Sequence, residues 1–147
     1  MKRLLYHVSS DWLASVGLLA LRLAVGAAFV LHGWPKIQAP MNWMGPDATM
    51  PGGLLALAAI SEFGGGIALI LGLFTRLFSF GLVCTMGVAA FQVHIAAGHP
   101  FVAPKGGPSY ELAIVYLAAA LLFLLAGPGR LSLDALLFGA ARDDGEI

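Results

Sequence analysis

Charge is the scarcest resource in this chain. Of 147 residues only 11% are Asp, Glu, Lys or Arg, against 59% hydrophobic residues, where a water-soluble domain carries about a quarter charged residues. A soluble surface cannot be assembled from this composition, so the chain belongs in a bilayer. Basic excess is missing too: eight Lys and Arg balance eight Asp and Glu, which argues against a nucleic-acid partner. Cysteine is nearly absent. Cys84 alone excludes an intramolecular disulfide and any Cys-rich zinc or iron–sulfur site built by this chain.

What is present is long apolar runs: residues 13–32, 53–74, 77–97 and 109–126. Each is long enough for a helix to cross roughly 30 Å of hydrocarbon at 1.5 Å per residue. The expected fold is an all-α membrane protein, a single domain over residues 1–147 made of a four-transmembrane-helix antiparallel bundle. Thr75 and Arg76 alone separate the second and third runs, which makes those helices antiparallel neighbours. The other two connections, 33–52 and 98–108, hold seven of the eight prolines and are expected to end the helices. Trp34, Trp43 and Tyr110 flank these loops and Tyr6 and Trp12 mark the opposite interface. Lys2, Arg3, Arg76, Arg130 and Arg142 face Lys36 and Lys105 across the bilayer, so the positive-inside rule places both termini in the cytoplasm. The first run, with its internal Arg22, reads as a retained helix and not a cleaved signal. After Gly127-Pro128-Gly129, Ser132 is expected to cap a short interfacial helix bearing Leu133, Leu136 and Leu137. A faint echo relates the two halves, His32 with His94 and Glu62 with Glu111, as in a duplicated hairpin or by coincidence of composition.

Counting from the inner edge puts Arg22 about 13 Å and Glu62 about 16 Å deep. Opposite charges at one depth offset part of their insertion cost, which predicts an Arg22–Glu62 buried ion pair. The alternative is that the span boundaries are displaced and Arg22 snorkels to the inner interface. His32, His94 and Glu111 reach a second level about 25–28 Å up, with Lys36 and His99 in the adjoining loops. Imidazole donates or accepts protons near neutral pH, so this layer suits proton exchange with a polar headgroup. A quinone fits, with its tail in lipid and its ring near His32, His94, Glu111 and Lys36, bordered by Trp34 and Tyr110. Against it stand wetted helix-end histidines bonded to loop carbonyls, a metal held by His32, His94 and Glu111, and a bis-histidine haem from His32 and His94. The glycines at 26, 64–66, 72, 81 and 87 read as helix-packing positions. Phe29, Phe63, Phe91 and Phe123 read as lipid-facing or interhelical filler, Cys84 as a small buried hydrophobe and Gln92 as an interhelical strut.

Several segments together resemble the DoxX family of small membrane proteins. They are Arg22-Leu23, Gly26, Phe29, His32-Gly33 and Lys36; Glu62 to Gly66; Leu71 to Arg76; His94; Gly107 to Leu112; and Gly127 to Asp134. The resemblance spans about Leu21 to Leu137. It implies a four-helix bundle in the inner membrane and raises the expectation of quinone-linked redox chemistry, since the family takes its name from a subunit of a thiosulfate-to-quinone complex. Electrons would come from a bound cofactor or a partner oxidoreductase. Two other functional classes compete. One is an oligomeric transporter or channel whose buried charges line a path. The other is a scaffold that docks an enzyme on the acidic tail Asp143, Asp144 and Glu146.

Overall fold

The computed structural model describes residues 12–139 and is all-helical among them. Lys2, Arg3, Tyr6, Arg142 and the acidic tail lie outside the described residues. Helix α1 covers Trp12–Gln38, α2 Gly52–Leu71 and α3 Thr75–Gly87, which continues into a π-helix at Val88–Ile95. Helix α4 covers Glu111–Ala126 and α5 Leu133–Phe138. Three of these stretches, α1, α2 and α3 with its π extension, are long and apolar enough to cross a membrane. Helix α4 is apolar but has only 16 residues. The helices run alternately up and down, α1 packing chiefly on α2, α2 on α3 and α3 on α4.

Two boundaries depart from expectation. Helix α1 does not stop before Pro35 but runs through it to Gln38. Pro35 has no N–H to offer the preceding turn, and it sits where only one turn of helix remains. The tight turn is not Thr75-Arg76 but Gly72-Leu73-Phe74. Gly72 ends α2 in the left-handed region at φ 66°, and Leu73 N–H reaches back to Ala68 O at 3.0 Å, closing a Schellman cap. Phe74 is also left-handed, at φ 48°, a conformation unfavourable for a bulky side chain.

The core is a stack of Leu18, Val25 and Phe29 from α1, Leu69 from α2, Leu82 and Met86 from α3, and Ala119, Ala120 and Phe123 from α4. Within a bilayer, burying these side chains gains little over leaving them in lipid, so close approach of helix backbones must hold the bundle. Gly26 and Gly66 supply it. A Cβ on Gly66 would stand 2.7 Å from both Gly26 O and Val30 N, and one on Gly26 would stand 2.8 Å from Gly66 O. Those neighbours are backbone atoms and cannot swing away. Gly66→Ala is therefore expected to destabilise the protein by about 1–3 kcal/mol, read as a fall in thermal midpoint in detergent. Gly87 has open space around it, contrary to its expected packing role, and Gly87→Ala should leave the midpoint unchanged or raised. Phe29 and Phe123 are core, whereas Phe91, Cys84 and Gln92 are exposed on the helical surface. Cys84 is therefore not the buried hydrophobe expected.

Candidate functional site

The membrane charges pair, but not as predicted. Glu62, 2% exposed in mid-α2, receives Lys36 Nζ at 2.6 Å on both carboxylate oxygens. Lys36 can do this because α1 continues past Pro35, which carries it down one side of α2 to the level of Phe63; Gly33 lets the two backbones touch there. The ammonium also lies 4.5 Å over the Trp43 ring, a cation–π contact. Trp43 in turn donates its indole N–H to Leu55 O at 2.9 Å. The loop between α1 and α2 thereby covers the ion pair.

Arg22 does not meet Glu62. It is wholly buried at the other end of the bundle, where its guanidinium donates to Leu131 O and packs against the Gly72 backbone. Its Nε and Nη1 have no hydrogen-bond partner among the described residues; Asp134 exerts a favourable Coulombic influence on it without a direct contact. Arg22 lies at the end of the bundle away from Glu62 because α1 begins well before the level at which α2 ends. The first turns of α1 reach beyond the end of α2, where Ser15 Oγ accepts from Arg130 N and Leu18 lies by Gly129. Asp134 is the residue that sequence reasoning missed. It is 4% exposed and accepts Phe74 N–H at 2.7 Å and Thr75 N–H at 2.9 Å, while its own N–H donates to Gly72 O at 2.8 Å. A carboxylate at the start of α3 satisfies orphan amides and complements the helix dipole. The expected Ser132 cap is present, its Oγ accepting from Ala135 N at 3.1 Å.

The predicted outer layer divides into separate groups. His32 is exposed on α1, with its ring edge-on to Tyr116 at 6.1 Å between centroids; Tyr116 packs on Phe29 at 4.9 Å. His94 turns to His99, the two Nδ1 atoms lying 3.0 Å apart. Trp34 packs on Phe63 at 5.7 Å and Tyr110 on Phe101 at 5.2 Å. Glu111 is exposed in the first turn of α4, and Lys36 is taken by Glu62. No three His, Cys, Asp or Glu side chains among the described residues gather as a metal site, so the His32–His94–Glu111 ligand set is not assembled. Nor is the bis-histidine pair, because His94 faces His99 and not His32. Tyr116 was overlooked as one more aromatic in an apolar helix. Its place five residues after Glu111, on a different face of α4, gave no signal of the contact with His32 and Phe29.

Comparison with known proteins agrees with this architecture. The DoxX family model matches residues 17–95. A Haemophilus influenzae protein described as uncharacterized is 37% identical, over 78% of this chain and 85% of its own length. The inner membrane protein YqjF of Escherichia coli K12 is 32% identical, over 85% of this chain and 95% of its own. No solved structure matches significantly. A family pattern running from the first turns of α1 to the end of the π-helix, together with relatives covered nearly end to end, places the chain in the DoxX family of membrane proteins.

Proposed function

We propose that this chain is an inner-membrane redox protein that offers a quinone headgroup a site opening to lipid at His32, and that its electrons come from a partner oxidoreductase. The observation that carries this reading is His32 itself. It is an ionisable ring exposed among lipid-facing side chains such as Leu31, 74% exposed, with a phenol beside it. An imidazole left facing acyl chains is costly, and such residues mark functional paths. A quinone reduced to its quinol takes up two electrons and two protons. His32 can hydrogen-bond one ring oxygen and pass it a proton. Tyr116, steadied by Phe29, forms one wall, and Trp34 lies at the rim. Lys36, held by Glu62, orders α1 against α2 on the loop side of the site and does not touch the headgroup.

In this reading α4 crosses the bilayer as well, because it joins the loop end at Pro100 and Phe101 to the end of the bundle where Ser15 and Gly72 bond to Arg130 and Asp134. Both termini then face the cytoplasm, in keeping with Arg76 and Arg130 at that end. A transporter lined by buried charges gains no support from a glutamate whose two oxygens both lie on one lysine.

A short-tailed quinone titrated into the detergent-solubilised protein should raise its thermal midpoint saturably. His32→Gln should weaken apparent affinity roughly tenfold, the worth of one good hydrogen bond. An unsaturable response, or one that His32→Gln leaves untouched, would remove the proposal.

A further inference from the structure

His94 and His99 are five residues apart, a spacing that puts two side chains on different faces of an α-helix at 3.6 residues per turn. Here they meet. The backbone from Val88 to Ile95 is wound as a π-helix, Ala96 N–H donating to Phe91 O at 3.3 Å, and it ends in a Schellman cap: Gly98, left-handed at φ 73°, donates to Ile95 O at 2.9 Å and His99 N–H to His94 O at 3.1 Å. The cap folds His99 back over His94. It brings the two Nδ1 atoms within 3.0 Å, with the rings tilted 54° and their centroids 5.3 Å apart. Both imidazoles are half-buried at the loop end of the bundle. Long π-helical runs are rare, and π-bulges recur at functional sites.

We propose that His94 and His99 form a two-imidazole site for a divalent transition-metal ion of the copper or nickel class. The geometry selects that class. Two metal–nitrogen bonds of about 2.0–2.1 Å spanning a nitrogen separation of 3.0 Å enclose an angle of about 90–95°. That is the angle between neighbouring ligands in a tetragonal copper(II) or nickel(II) site. A tetrahedral zinc ion needs its nitrogens about 3.3–3.4 Å apart. Two neutral imidazoles also rank copper(II) above the other divalent first-row ions. Water would complete the coordination shell from the open side. Each ring would carry its proton on Nε2, leaving both Nδ1 lone pairs for the metal. The site is independent of the quinone proposal, since His32 is not among its ligands.

Copper(II) titrated into tag-free, detergent-solubilised protein tests it. One ion should bind per chain, with an electron paramagnetic resonance spectrum showing coupling to two nitrogens. Binding should persist in His32→Gln and be lost in His94→Gln and in His99→Gln, while zinc(II) should bind more weakly than copper(II). Should the two loss variants fail to fold, diethylpyrocarbonate labelling of the unaltered protein decides the matter. Copper(II) should protect His94 and His99 and leave His32 reactive. Stoichiometric binding that survives either loss variant, protection mapped to other histidines, or no saturable binding by the unaltered protein would overturn the site and leave a plain imidazole hydrogen bond.

Discussion

Lys36→Met is expected to destabilise the protein by about 3–5 kcal/mol, the usual consequence of removing one member of a buried ion pair. The reason is the asymmetry of the pair's surroundings. Glu62 is 2% exposed and accepts from Lys36 through both oxygens, whereas Lys36 is 23% exposed. Without Lys36, the carboxylate must either stay charged in mid-helix or take up a proton, and both are costly. Glu62→Gln should be the milder lesion, because the released ammonium can turn toward the loop and stay over Trp43. Combining the two replacements should recover much of the loss, giving a coupling energy of about 1–3 kcal/mol in a double-mutant cycle. The measurement is equilibrium unfolding in mixed micelles. Added salt should change the result little, since the pair lies away from solvent ions. If Lys36→Met and Glu62→Gln proved equally mild and additive, the ion pair would have no part in stability.

Asp134→Ala is expected to cost a similar amount, about 3–5 kcal/mol, by a different route. Two amides at the start of α3, Phe74 and Thr75, lose their acceptors, and loss of a helix cap alone costs about 0.5–2 kcal/mol. The favourable Coulombic influence of Asp134 on Arg22, which has no solvent exposure, is lost as well. Asp134→Asn separates the two contributions. It keeps one acceptor oxygen and the shape but removes the charge, so it should fall between Asp134→Ala and the unaltered protein. With Arg22→Met in place, the additional cost of Asp134→Asn should shrink. A thermal midpoint for Asp134→Ala within error of the unaltered protein would show that the turn is held by something else.

Hydropathy made the existence and order of the long helices legible, because a run of 20 apolar residues has few other destinies. The need of Glu62 for a cation at its own depth was legible on the same energetic ground. Which cation was not. Lys36 follows a proline and read as a loop residue, while Arg22 appeared at matching depth only because Leu13 was assigned to the membrane edge. In the structure α1 is 27 residues long and its first turns extend past α2. An apolar run has no internal mark that fixes its depth, so the register was free to slip. The role of Asp134 was hidden because its bonds reach residues 59 and 60 positions earlier. The pairing of His94 with His99 was hidden because it depends on where the third apolar run stops and turns back on itself, at a left-handed Gly98. Quinone chemistry was suggested by residue types and by the family resemblance. The reading proposed above centres it on His32 and Tyr116 in place of three helix ends.

The clamp around Arg22 also dictates the order in which the molecule can be completed. A ribosome delivers α1 to the membrane long before Leu131 and Asp134 exist, and the bond from Arg22 to Leu131 spans 109 positions of chain. Throughout that interval the guanidinium must be sheltered by water, lipid headgroups or the insertion machinery. The hairpin of α1 and α2 can zip together through Gly26 and Gly66 while synthesis proceeds, but the base of the bundle stays open until the last helix has been made. A nascent chain arrested before Leu131 would therefore hold the Arg22 guanidinium without the carbonyl that receives it in the finished bundle.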